Sequence, residues 1–293
     1  MSHITVVLNI HKTTGVWFRG KNVVIANRIV CTTMGVGMMI SAMISDTIVS
    51  PLVGGWKNVL LLYGALCIGA GLLWVIVTRP DPAHHVEGQP VNAPAFLGSF
   101  SKVLRTKVIW LKALMNMCFF GSFMGLTGFL SLYLRKIGWM PVAADGALGV
   151  LNGASIFTAI PLAILAGKMR SKESLIFYLI CTNFVCVSLI PFFNGLTIWI
   201  LVFLFGAVRD GYVAILTTMV IETKGIGARY AGIAIGVVFS FGNLGIFLIA
   251  TMGNALANIN LRFAFFFWAI CFGIAMLILH TIKNNDDTLP ATL

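Results

Sequence analysis

Apolar residues in this chain neither alternate with polar ones nor keep to one helical stripe; they gather into long runs separated by short polar connectors. A helix rises about 1.5 Å per residue and the hydrocarbon of a bilayer is roughly 30 Å thick, so a span takes about 20 apolar residues. By that measure the pattern predicts eight complete helices, over 23–47, 57–78, 109–134, 142–167, 174–193, 196–221, 228–256 and 262–281. Ahead of them Ile4–Ile10 is apolar but too short to cross, and a basic connector with His11, Lys12, Arg19 and Lys21 follows it. It reads as the inner end of a truncated helix.

The polar positions then orient these runs. Lys and Arg crowd into alternate connectors: Lys12 to Arg28, Arg79 to Lys112, Lys168 to Lys172, Lys224 with Arg229, and Lys283. The intervening connectors hold only Lys57, Arg135, Lys136 and Arg262. Because basic loops stay on the cytoplasmic side, the expected topology places the C-terminus and the long connector in the cytoplasm. The turns at Gly54-Gly55-Trp56 and at Phe192-Phe193-Asn194-Gly195 then lie outside. An all-α, polytopic transmembrane bundle in the cell inner membrane is the expected class.

Composition agrees and removes other classes. Of 293 residues, 59% are hydrophobic and 10% charged, with a mean hydropathy of +0.96, so lipid rather than water is the solvent for most of the chain. The net charge of +11 would suggest nucleic acid in a soluble protein, but it sits in the connectors, where it sets topology. No nucleic-acid partner is expected. The six cysteines all fall inside apolar runs with no CxxC pair and no nearby histidine at ligand spacing, so they read as small hydrophobes and no metal is expected. No His-Glu-x-x-His, Walker loop or Ser/His/Asp cluster suggests an enzyme, and no cofactor is expected. The first ten residues lack the charged and apolar regions of a cleavable signal, so insertion falls to the helices themselves.

The polar, proline-bearing segment with Pro80, Pro82, Pro90 and Pro94 divides the chain. The expected units are a first helical part over 1–79, a cytoplasmic connector over 80–108 and a six-helix part over 109–293 with a short tail. Ala26, Gly37 and Lys57 recur as Ala231, Gly242 and Arg262, each displaced by 205 residues and each at an equivalent place relative to its helix. Parallel repeats are one way in which transporter halves are built; the displacement puts about 95 residues, three helices' worth, ahead of the first part.

Trp17-Phe18-Arg19-Gly20-Lys21, Ala26, Gly35, Gly37 and Gly54-Gly55-Trp56-Lys57 resemble the fourth-loop, fifth-helix and sixth-helix pattern of the major facilitator superfamily. Glu222 before Arg229 and Ala231-Gly232 is similar to that family's loop between helices 10 and 11. The resemblance covers the chain as helix 4, a stub, through helix 12. It implies a secondary transporter that moves a small solute by rocking one half against the other. Two departures stand out. The run Gly167 to Lys172 lacks the acidic residue of the family's loop between helices 8 and 9, and Pro51 follows Ser50 where drug antiporters carry a Gly-Pro pair. Neither a gating ion pair at that loop nor drug efflux is therefore expected.

Arg209 and Asp210 are the sharpest chemical feature, because they lie about 13 residues into the 196–221 run, near the bilayer centre. An ionisable residue there costs on the order of 2.5–3.5 kcal/mol on insertion, so it should face a cavity or a partner. The functional reading gives Arg209 the grip on an oxyanion through its planar fork, with Tyr212 one turn on, and gives Asp210 the coupling proton. The bland reading is a charge pair fixing two helices. Neighbours on one helix point about 100° apart, so Arg209 and Asp210 need not pair with each other. Asn116, Asn152 and Asn243 are further candidates for lining the cavity, as are Ser122, Thr127, Ser155, Thr158 and Ser240; interhelical hydrogen bonding is their alternative. Asp46, at the end of its helix, is a minor candidate for coupling. Glu222, Lys224 and Arg229 sit at an inner junction suited to an ion-pair gate, with ordinary topology charge as the alternative. The expected activity is proton-coupled transport of a small anionic solute, the partners being that solute, the proton and the bilayer. A non-transporting remnant or sensor is the other reading. A reading frame upstream of Met1 encoding three more spans would remove its main support.

Overall fold

The computed structural model describes residue 33 and residues 36–77, 96–168, 171–223 and 225–287, and ten helices account for nearly all of them. The apolar stub, the basic connector after it and most of the proline-bearing segment lie outside the described residues. Among the described residues, seven stretches have the length and hydropathy to cross a membrane. The eighth expected run, over 142–167, corresponds to a helix of 28 residues, Pro141–Lys168.

The first described helix, α1 (Val36–Val53), runs past its expected end at 47. Pro51 has no N–H to give to the helical ladder, and a π-helical turn, Ser45–Val49, widens the coil just ahead of it. The Ser45 hydroxyl donates back to the Ser41 carbonyl and lies 2.7 Å from the Tyr63 hydroxyl of the next helix. Gly54 and Gly55, with φ of 78° and 120°, then reverse the chain, a conformation that a side chain would strain. Helix α2 (Trp56–Val77) returns alongside; it is apolar all round and, over residues 56–76, Val59 alone is buried. That pattern belongs to a helix bathed in lipid or covered by further helices.

After the short α3 (Phe96–Leu104), a bundle of long helices follows: α4 (Lys107–Lys136), α5 (Pro141–Lys168), α6 (Lys172–Leu189), α7 (Leu196–Ala207), α8 (Arg209–Ile221), α9 (Gly227–Ala257) and α10 (Leu261–Asp287). Helix α4 is central, with α9 and α10 against one side and α5 on another, while α6 packs on α10 and α5 on α7. In lipid no hydrophobic force draws helices together, so close backbone approach has to hold them. A Cβ placed on Gly245 would stand 2.1 Å from the Met117 carbonyl oxygen, and one on Gly121 would stand 2.6 Å from that of Gly245. That seam fastens α4 to α9. Aromatic rings fill the space beside it: Phe123 stacks on Phe205 at 4.7 Å, and Phe119 meets Phe272 edge-on at 5.5 Å. Cys118, Cys186 and Cys271 are buried among these groups as free thiols.

Candidate functional site

The expected span over 196–221 is a single crossing stretch, Leu196–Ile221, whose helix is interrupted at Val208, between α7 and α8. Two contacts hold the break. Gly206 lies against the backbone of α5, where a Cβ would stand 2.0 Å from the Leu151 carbonyl oxygen, and the Thr158 hydroxyl donates to the Ala207 carbonyl at 2.7 Å. A side-chain hydroxyl thereby takes up a carbonyl at the break, as an interrupted helix in a membrane requires. Thr158 acts on the helix backbone rather than as a free polar wall.

Neighbours on one helix need not pair, yet Arg209 and Asp210 do. With the first turn of α8 starting at this pair, Arg209 Nε donates to Asp210 Oδ1 at 2.9 Å. The rest of the guanidinium faces α5: Nη2 donates to the Ser155 hydroxyl at 3.0 Å and Nη1 reaches Asn152 Oδ1 at 3.4 Å. Nη1 also lies 3.9 Å from the Met38 sulfur of α1. Arg209's side chain is 11% exposed and that of Asp210 43%. The cation is thus held at the wall, with its carboxylate partner open to the adjoining space.

Tyr212 turns away from this group. It is fully buried, stacks on Phe119 with ring centroids 3.5 Å apart, and donates to Asn116 Oδ1 at 3.4 Å. Asn116 is buried too and donates to the Val238 carbonyl at 3.0 Å, so these two form a second polar cluster among α4, α8 and α9. Asn243 is exposed and its amide donates to its own helix, at the Phe239 carbonyl. Of the candidates for the cavity wall, the structure gathers Asn152 and Ser155 around Arg209 and leaves Tyr212, Asn116 and Asn243 apart from it.

Glu222 pairs with Lys172 at the start of α6, which ties one end of α8 to its neighbour within the same bundle. Lys224 lies outside the described residues, and Arg229 is placed only as a position in the first turn of α9.

Two charged residues escaped the sequence reading. Lys112, counted there among connector cations, is buried one turn inside α4, and its ammonium donates to the Met219 carbonyl and the Thr223 hydroxyl, both at 2.8 Å. A cation at the carbonyl end of α8 is where the helix dipole favours one. Its place inside the apolar stretch Ile109-Trp110-Leu111 to Leu114 was the available signal. Asp145 is buried in the first turns of α5, accepting from Ser131 at 2.6 Å and from Arg135 at 2.8 Å. An acid beginning an apolar run ten residues after a cation was the signal there.

Residues 8–250 match the profile of the Major Facilitator Superfamily. Over 99 residues the chain is 29% identical to the inner membrane protein YihN of Escherichia coli (strain K12); that stretch is 33% of this chain and 23% of that protein. The match therefore spans about a quarter of the relative's length.

Proposed function

The chain belongs to the major facilitator superfamily, and from that premise we propose that it is a secondary transporter for a small anionic solute, driven by protons. The observation that carries this reading is the guanidinium of Arg209 at the break between α7 and α8. Such a charge within a span belongs to a pathway or a partner. Among the described residues Asp210 pairs with it by charge, while Asn152 and Ser155 offer neutral dipoles. An incoming oxyanion competes with Asp210 for the same donors. When the anion takes the guanidinium, the released carboxylate loses its countercharge and takes up a proton; when the proton leaves, Asp210 reclaims Arg209 and expels the anion. One cation thereby links solute to proton without a second site.

The moving parts are the α1–α2 portion and the α4–α10 bundle, with the solute between them. The charge bias of the connectors supports a cytoplasmic C-terminus in the inner membrane, the compartment named for YihN. Tyr212, Asn116 and Asn243 stand apart from Arg209, and Glu222, Lys224 and Arg229 remain candidates for an inner gate.

Uptake into proteoliposomes, with labelled carboxylates, phosphate esters and inorganic anions and an inward proton gradient, tests the proposal. Accumulation of at least one anion that collapses with a protonophore is expected. Binding of an anion without any gradient-driven accumulation would favour a sensor.

A further inference from the structure

Where α1 meets the bundle, two short stripes run antiparallel. Met39 and Met43, one turn apart on α1, reach the positions of Gly153 and Gly149, one turn apart on α5; a Cβ on those glycines would stand 2.6 Å from the Met39 sulfur and 2.2 Å from Met43 Cγ. The next turn of α1 brings Asp46, and the next turn of α5 brings Asp145. Arg135, at the end of α4, lies between them, with its Nη2 2.6 Å from Asp46 Oδ2 and 2.8 Å from Asp145 Oδ2. The π-helical turn that Pro51 demands contains Asp46 near its start.

The geometry points to Asp46, Arg135 and Asp145 as a clasp that closes one end of the solute pathway and sets how often it opens. This rests on the two-part, rocking carrier proposed above. The two acids are unequal, and the inequality makes a latch. Asp145's side chain is 4% exposed and also accepts from Ser131, so it cannot lose Arg135 without stranding a buried charge. Asp46's side chain is 60% exposed and passes into water at little cost. Arg135 therefore stays with the bundle while Asp46 comes and goes with α1.

The guanidinium is prepared for that exchange. One nitrogen, Nη2, serves both acids, and Nε is buried without a hydrogen-bond partner among the described residues. When Asp46 leaves, a small turn of the guanidinium gives Asp145 the two-pronged contact that it lacks in the closed form. The methionines suit the same motion. Their unbranched, polarisable side chains fill glycine notches without locking, so α1 separates from α5 without breaking an interdigitated seam.

The test uses the pair Met43→Cys with Gly149→Cys. The Cβ position on Gly149 stands 3.7 Å from Met43 Cβ, within the range a disulfide spans, so the cross-link forms only when this end is closed. In membranes given oxidant and maleimide together, the ratio of disulfide to maleimide product follows the closed-to-open ratio; polyethylene-glycol tagging of the remaining thiols reads it against the native cysteines. Adding Asp46→Asn should lower that ratio by about two- to fivefold, the range an exposed ion pair supplies, and Asp46→Glu should restore it. An unchanged ratio in Asp46→Asn, with the cross-link still forming, would overturn the clasp. The readout needs no solute. A separate Asn194→Cys, labelled from each side of the membrane, reports orientation, so an error in topology or substrate shows itself apart from failure of the clasp.

Discussion

Arg209 carries five N–H donors, and Asp210, Asn152 and Ser155 together occupy only part of that capacity. The ion pair is unequally exposed: Arg209 is held against α5, and Asp210 is the more open member, to which the proposed function gives the coupling proton. Asp210→Asn should therefore abolish proton-driven accumulation while leaving anion exchange across the membrane near its original rate, since exchange never requires the empty carrier to return deprotonated. Parallel flux measurements with and without solute inside the vesicles separate the two, and unimpaired accumulation would place the proton elsewhere. At this scale the sequence told which residue types stand out, through hydropathy alone. It did not tell which way they turn. Tyr212 is one turn from Arg209 yet stacks in the core on Phe119, because side-chain direction at a helix break depends on neighbours distant in sequence.

At the scale of elements, the spans were legible because the bilayer demands long apolar runs, and most boundaries in the bundle lie within a few residues of expectation. The irregular turns were not. The π-helical turn at Ser45–Val49 follows from Pro51 only once α1 is known to continue past 47, and the break at Val208 depends on Thr158, fifty residues earlier in the chain. Glycine seams are likewise visible as composition but not as contacts. Gly245 and Gly236 look alike in sequence, yet a Cβ on the first strikes the α4 backbone and one on the second meets nothing within 4 Å. Gly245→Val should destabilise the protein by about 1–3 kcal/mol, seen as a lower melting temperature in detergent, because the backbone has no side-chain slack to yield. Gly236→Ala should leave melting unchanged or raise it slightly, as alanine favours a helix over glycine by about 0.5–1 kcal/mol. Equal losses at both positions would mean that the α4–α9 seam does not hold the bundle.

For the whole molecule, the features on which the proposals rest are two polar groups set in a large apolar frame: the cation at the break, and the ion pairs that Arg135 makes to α1 and to α5. Family membership was legible in the order of loose motifs along the chain, and the profile match over residues 8–250 agrees with it. For the substrate, the sequence supports no more than the proposed sign of charge, because one guanidinium suits an oxyanion whatever body is attached to it. Transport of an anion through Arg209 is the central claim, and its most direct measurement compares Arg209→Lys with the unsubstituted protein for anion affinity and for melting without solute. Lysine keeps the positive charge but loses the planar fork, so affinity should fall roughly ten- to hundredfold, the equivalent of about 1.5–3 kcal/mol, while melting hardly changes. A protein that melts early yet binds its anion with undiminished affinity would make Arg209 a strut between helices and contradict the claim.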